Sequence, residues 1–335
     1  MRAYTTARWI VLAVIGIMVT LLPELSPTYV SSSIALPTLT TGLCAISLTF
    51  LSTYGGLVSL AQTGLFGVAG LLAASLAVES HVDPALAGLI GIAAAATAGL
   101  LFGALASSST GTYFLMITLA LGEISYYLFS AVPAFGLHEG INAVFPPSWL
   151  GDPVRHPTAI YYFILLVAVG FHLLLRYLVR TPFGMALQGV RDDPERMTAL
   201  GYNVRVHRTL AFALAAAIAG TAGVLAAWTN TRISADSISL GVTIGVLEAA
   251  VIGGMYSLEG AWIGAFTLTV LSIYGPAFTD RYATVLGILF LAIVLVSPGG
   301  LTGVLTSIDR RVRHALSNQQ LPALADRGAS EQPRG

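Results

Sequence analysis

The sequence contains no lysine: all 16 basic residues among its 335 are arginine. That absence excludes a Walker A phosphate loop, a Schiff-base enzyme and a kinase-type phosphate lysine. There is one cysteine, Cys44, which excludes an internal disulfide and a cysteine-based zinc site. Charge of either sign is scarce. Charged residues make up 10% of the chain, against about a quarter in an ordinary soluble domain. Also missing are HExxH, GxSxG, a paired intramembrane aspartate motif and any metal-ligand cluster, so an intramembrane enzyme has no chemistry to work with. No cofactor is expected, no metal, and no nucleic-acid partner.

Apolar residues make up 56%. A soluble globule cannot hide that much apolar surface, and an all-α, polytopic membrane bundle is expected. At roughly 20 apolar residues per crossing, the expected spans are 8–22, 34–54, 57–78, 84–107, 112–134, 158–179, 209–229, 239–256, 258–275 and 282–297. Ten is the count, and eight or nine with re-entrant pieces fits as well. Two pairs, 34–54 with 57–78 and 239–256 with 258–275, are separated by almost nothing. Short apolar segments broken by glycine are the mark of discontinuous helices at transport sites.

The first span follows Arg2 and Arg8 but precedes no small-residue cleavage site, and is read as a retained signal anchor. Ten spans with both termini in the cytoplasm put thirteen arginines inside and only Arg155, Arg232 and Arg281 outside. Residues 1–308 are read as the transmembrane domain of an inner or plasma membrane protein, with 309–335 a polar, disordered cytoplasmic tail. A weak internal echo is present: GGLVSL at 55–60 and GGMYSL at 253–258. It is either coincidence or the trace of a duplicated half, which this span count makes a parallel repeat.

The segment 180–208 is too polar to span and too patterned for a slack linker. Phe183 to Val190 can form a short helix. Asp193 then caps a second helix, Pro194 suits its first position, Glu195 favours its positive end, and Gly201 suits a left-handed C-cap. Met197 and Leu200 share one face. Such a helix lies on lipid headgroups or docks a cytoplasmic protein. Asp192, Asp193 and Glu195 weigh against the anionic leaflet.

The run PFGMALQGVRDDPERMTALGYNV resembles the coupling segment of branched-chain amino-acid ABC permeases, the LivM type. GLVSLAQTGLFGVAGLLAASL, TYFLMITLALGEI and VIGGMYSLEGAWIGAF are similar to further blocks of that family, in its order, over most of 55–270. The resemblance implies a permease subunit working with a second, LivH-type permease, two ABC ATPase subunits and an extracytoplasmic binding protein. Substrates in that family include branched-chain and other small amino acids, urea and short amides. It also implies ATPase coupling through Phe183, Gly184, Leu187, Arg191, Asp192, Asp193, Glu195, Leu200 and Gly201. The chain departs from the family at Ala61-Gln62, in the 135–142 loop and at Glu248.

Ser59, Gln62 and Thr63 either line a pathway or hold helices together. Glu123 is a pathway contact or, preferably, a tie to a neighbouring helix; Glu248 faces a cavity or does not, and Glu259 is wet. Glu123 and Glu248 would be the ion sites of the alternative, a secondary transporter or channel. His172 and Arg176 are read as helix-end groups, Cys44 as an inert buried thiol. The loop 135–157, with His138, Glu139, Asn142 and Trp149, is a landing site for a binding protein or an ordinary solvated loop.

Overall fold

The computed structural model describes residues 31–136, 139–151, 157–278, 281–296 and 299–303. The expected first span, His138 and the expected tail from 309 lie outside the described residues.

A π-helical turn, Ser31–Ala35, leads into α1 (Leu36–Gly55), followed by α2 (Gln62–Val78), α3 (Pro84–Ala106), α4 (Gly111–Ala131) and α5 (Pro157–Leu178). Two short helices, α6 (Pro182–Asp192) and α7 (Pro194–Ala199), precede the long α8 (Val204–Asn230), and α9 (Leu240–Gly253), α10 (Leu258–Phe278) and α11 (Tyr282–Val296) complete the described chain. The starts follow from local chemistry. Asp83 Oδ1 accepts from Ala85 N at 2.9 Å at the head of α3, with Pro84 in the first turn. Asn203 Oδ1 accepts from Val206 N at 3.2 Å at the head of α8. Helix α8 begins five residues before the apolar run at 209, because Asn203 and not hydropathy sets its start.

Among the described residues six helices are long and apolar enough to cross a bilayer, and three shorter apolar ones accompany them. The fold is a helical polytopic bundle. Helices α1 and α8 form its centre, with 78% of their apolar windows buried, against 28% in α3, α4 and α5. The outer helices turn Leu89, Leu101, Leu105, Met116, Ile124 and Leu166 outward, as surfaces bordering lipid must. The centre is packed with small residues. Ala215, Ala216, Ala219 and Ala222 of α8 are sealed from solvent, and a Cβ at Gly223 would fall on the carbonyl oxygen of Phe66 in α2. Helices that cannot rely on hydrophobic burial against each other associate through such close backbone contact.

The bundle has two distinguishable ends. At one, β1 (Ile141–Asn142) pairs antiparallel with β2 (Arg232–Ile233); this is the ribbon end. At the other, α6 packs over the turn after α1, where Arg191 meets Gly56, and against the turn after α5, where Gly184 meets Leu178; this is the island end. The two glycine pairs of the echo both lie at the island end, where the Thr53 hydroxyl donates to Met255 O at 2.7 Å.

Candidate functional site

The expected span 57–78 is not one helix. Gly56 takes a left-handed backbone (φ +65°) and ends α1, and α2 begins only at Gln62. The intervening segment runs back into the bundle: Leu60 N donates to Thr118 Oγ1 at 3.2 Å, and Thr118 is two turns inside α4. Leu57, Ser59 and Ala61 are buried. Non-helical backbone at this depth is tolerated only when enclosed in protein. Ser59 supports the segment locally, its hydroxyl accepting from Ala61 N at 3.3 Å. Gln62 opens α2 beside Ser47 of α1. The Ser47 hydroxyl has one proton for two acceptors, Cys44 O at 2.7 Å and Gln62 Oε1 at 3.3 Å. The Gln62 amide nitrogen is buried without a partner among the described residues.

One residue on, Thr63 meets Thr243 of α9, oxygen to oxygen at 2.6 Å. Thr63 also lines a cavity of about 260 Å³ between α1, α2, α8 and α9. Its polar lining comes from Thr40, Thr41, Thr63, Thr229, Asn230 and Ser237, its apolar lining from Pro37, Phe66, Ala226, Ile233, Val242 and Val246, and Arg232 stands at the ribbon end. Arg232 Nη2 donates to Glu139 O at 3.0 Å, so its charge is fixed beside the cavity by a backbone carbonyl. Cys44 lies in the wall and is buried.

Of the five expected pathway residues, only Thr63 lines this cavity. Ser59 lies in the break and Gln62 at the head of α2, and neither lines the cavity. Glu123 and Glu248 are half-buried on α4 and α9 and line neither this cavity nor the one described below. Glu259 pairs with Arg176 at 3.5 Å, both about half exposed, and His172 Nδ1 accepts from Trp262 Nε1 at 3.2 Å. The sequence reading missed Thr40, Thr41, Thr229 and Asn230. Each hydroxyl among Thr40 and Thr229 bonds back to its own helix, and a threonine doing so is indistinguishable by sequence from one that merely packs. Arg232 had been counted only for orientation.

At the island end, the short helices form as their residues predict. Asp193 Oδ1 accepts from Arg196 N at 2.9 Å. Gly201 adopts φ +89°, with Gly201 N donating to Thr198 O at 3.0 Å and Tyr202 N to Met197 O at 3.0 Å, a complete Schellman closure. A second cap had not been expected: Thr181 Oγ1 accepts from Gly184 N at 3.5 Å. Gly184, Leu187 and Val190 bury the inner stripe of α6, and Phe183 stacks on His207 of α8 at 5.8 Å. Met197 packs on Gly189 while Leu200 projects, 66% exposed, so the expected two-residue apolar face is one knob. Asp192, Asp193 and Glu195 are exposed.

Arg191 joins this pair to the bundle. Its Nη1 donates to Thr53 O, its Nη2 is 2.7 Å from Asp192 Oδ1, and its stem lies over Gly56, where a Cβ would meet Arg191 Cγ at 2.6 Å. The guanidinium therefore holds the carbonyl that would otherwise be left open at the end of α1.

Residues 30–296, spanning both the cavity and the helix pair, match the family described as "Branched-chain amino acid transport system / permease component". The chain belongs to this family. The permease is 28% identical over 231 residues to the high-affinity branched-chain amino acid transport system permease protein LivM of Escherichia coli, covering 62% of this chain and 54% of that one. It is 30% identical over 164 residues to BraD of Pseudomonas aeruginosa, covering 48% and 53%. To the probable LivH permease of Methanocaldococcus jannaschii it is 28% identical over 152 residues, covering 43% and 47%. The permease thus spans about half the length of the curated relatives it matches. No solved structure matches it.

Proposed function

We propose that the permease is a membrane subunit of an ATP-driven transporter and forms part of the path of a branched-chain or other small amino acid, or of a related small polar solute such as urea or an amide. Two separate ATPase subunits bind at α6–α7, a second permease of LivH type completes the path, and an extracytoplasmic binding protein delivers substrate at the ribbon end. The relatives' names supply the substrate class. The island end is cytoplasmic: among the described arginines it carries Arg176, Arg180, Arg191, Arg196, Arg205 and Arg208, against Arg232 and Arg281 at the ribbon end.

One observation carries the coupling reading. Helix α1 lines the cavity with Thr40, Thr41 and Cys44 and ends under Arg191 of α6. Its 20 residues make a rod about 30 Å long, so a push on α6 reaches the cavity wall without an intermediate joint. ATPase closure moves α6, α6 moves α1, and the Thr63–Thr243 contact at the head of α2 changes partners. The ion-coupled alternative has no support from the cavity, which carries no carboxylate among the described residues of its lining.

Leu200 is exposed and its loss leaves the bundle's packing untouched. Leu200→Asp is expected to abolish co-purification of the ATPases and ATP-dependent leucine uptake in proteoliposomes, while the thermal melt of the isolated permease stays unchanged. Normal uptake by that variant, or uptake by the permease alone under a proton or sodium gradient, sinks the reading.

A further inference from the structure

A second cavity lies at the island end, on the side of α7 away from α1. It has a volume of about 600 Å³ and lies between the turn after α3 and the α7–α8 junction. Ser107, Ser108, Asn203, Arg205 and Arg208 line it, with Glu195 as the single carboxylate among its described lining residues. None of these residues has a part in the translocation reading except Glu195, on the docking helix.

Arg208 is the unusual member. It is 8% exposed. Its Nη1 donates at 3.2 Å to the carbonyl of Ser107, the C-cap residue of α3, and its Nε is buried with no partner among the described residues. Among the described residues no carboxylate lies within 4 Å of the guanidinium. A desolvated cation held by one neutral carbonyl is an expensive arrangement; an anion in the adjoining cavity relieves it. Two further sources of positive potential face the same space. Arg205 is exposed one turn earlier on α8, and the 27-residue α8 directs its N-terminus here, with first-turn amides that have no intrahelical acceptor.

The level of the cavity identifies the source of the anion. Leu105 on α3, Tyr113 on α4, and Val206 and Leu210 on α8 are 46–77% exposed, and all lie within about two turns of the cavity. It therefore opens where the lipid-facing apolar surface gives way to polar chain, which is the depth of phospholipid headgroups. Tyr113, 77% exposed, is an interfacial aromatic of the usual kind. A lipid phosphate is always present at this level, at high local concentration, which favours it over a soluble anion.

We propose that this cavity binds the phosphate of an anionic phospholipid of the leaflet at the island end, with Arg208 and Arg205 as its cations and the α8 N-terminus and Ser108 hydroxyl as further donors. The lipid wedges between α7 and the α3–α4 turn and sets the stance of the helix pair on the bundle. The site stands apart from the substrate reading and survives its failure.

The test uses the full permease, purified and stripped of lipid in a neutral detergent. Retained lipid is counted by native mass spectrometry and the thermal midpoint is followed on adding phosphatidylglycerol, phosphatidylcholine or inorganic phosphate. Phosphatidylglycerol is expected to be retained and to raise the midpoint, with phosphatidylcholine and phosphate doing neither. Arg205→Gln, an exposed substitution that spares folding, is expected to weaken phosphatidylglycerol retention about fivefold. Arg208→Gln is expected to abolish it, and Arg208→Lys to restore part. Equal retention of the two lipids overturns the proposal. So does protection by phosphate alone, or Arg205→Gln with undiminished lipid selectivity. If Arg205→Gln keeps its lipid and instead loses the ATPases, the cavity seats a protein carboxylate and the lipid assignment is wrong.

Discussion

The two segments that look alike in sequence, GGLVSL and GGMYSL, are built differently. Both end a helix at the island end through a glycine with positive φ, Gly56 at +65° and Gly254 at +118°. After Gly56 the chain stays out of helix for five residues, Leu57 to Ala61, and runs in to meet α4 at Thr118, with Ser59 sealed from solvent. After Gly254 it turns at once into α10, leaving Tyr256 74% exposed, and the Ser257 hydroxyl accepts from Gly260 N at 3.1 Å as an ordinary cap. The helices on either side of the first break barely touch, whereas α9 and α10 pack closely. The first break separates two helices and encloses polar groups between them. The second is a tight hairpin braced from outside by residues 299–303, through Thr302 Oγ1 donating to Gly253 O at 2.9 Å. A shared hexapeptide at one end of the bundle therefore does not establish a repeated unit.

The largest effect that separates them is expected at the glycines. Gly254→Ala meets both an unfavourable φ and the backbone of Gly299, and should cost about 3 kcal/mol. Gly56→Ala lies in the left-handed region and meets only the flexible Arg191 stem at 2.6 Å, for about 1 kcal/mol. Thermal melts in detergent check the order; equal costs would remove the distinction. Next comes Arg191→Gln, which exchanges a charge-assisted bond to the first break for a neutral one and should lower stability by about 1.5 kcal/mol. Uptake should fall further than stability does, since the α6–α1 connection is lost. Thr53→Val removes the one hydroxyl bond between the breaks, 2.7 Å long. It should cost about 1 kcal/mol, and in combination with Arg191→Gln the two losses should be less than additive, read by a double-mutant cycle. Smallest of all, Tyr256→Ala should shift the melt by under about 0.5 kcal/mol; a larger loss would mean that the second break is covered in the isolated permease.

Hydropathy located nearly every crossing helix, because a run of some 20 apolar residues has few other uses. It misjudged 57–61, where the residues are as apolar as a helix but Gly56 redirects the chain and α4 supplies the missing hydrogen-bond partner. Nothing local to Leu60 announces Thr118. The island was legible residue by residue, since Asp193, Pro194 and Gly201 act within their own turn. Its attachment was not: that Arg191 reaches Thr53, 138 positions away, depends on how the bundle closes. The cavity was legible least. Carboxylates attracted attention at Glu123 and Glu248 because charge in a membrane is rare, yet the lining is drawn from threonines that abound along the chain.

The position of Cys44 gives the permease a native gauge of its own motion. It is the single thiol in the sequence and stands in the cavity wall on α1, 2% exposed. Thiol-labelling kinetics on the unaltered protein therefore report one place only, without the cysteine-stripping that such measurements ordinarily demand. Buried as it is, Cys44 is expected to react with a maleimide fastest in whichever state opens the cavity. Comparing labelling rates with and without ATP and the ATPases would time the opening of the cavity directly, in a chain whose packing has not been altered to make the measurement.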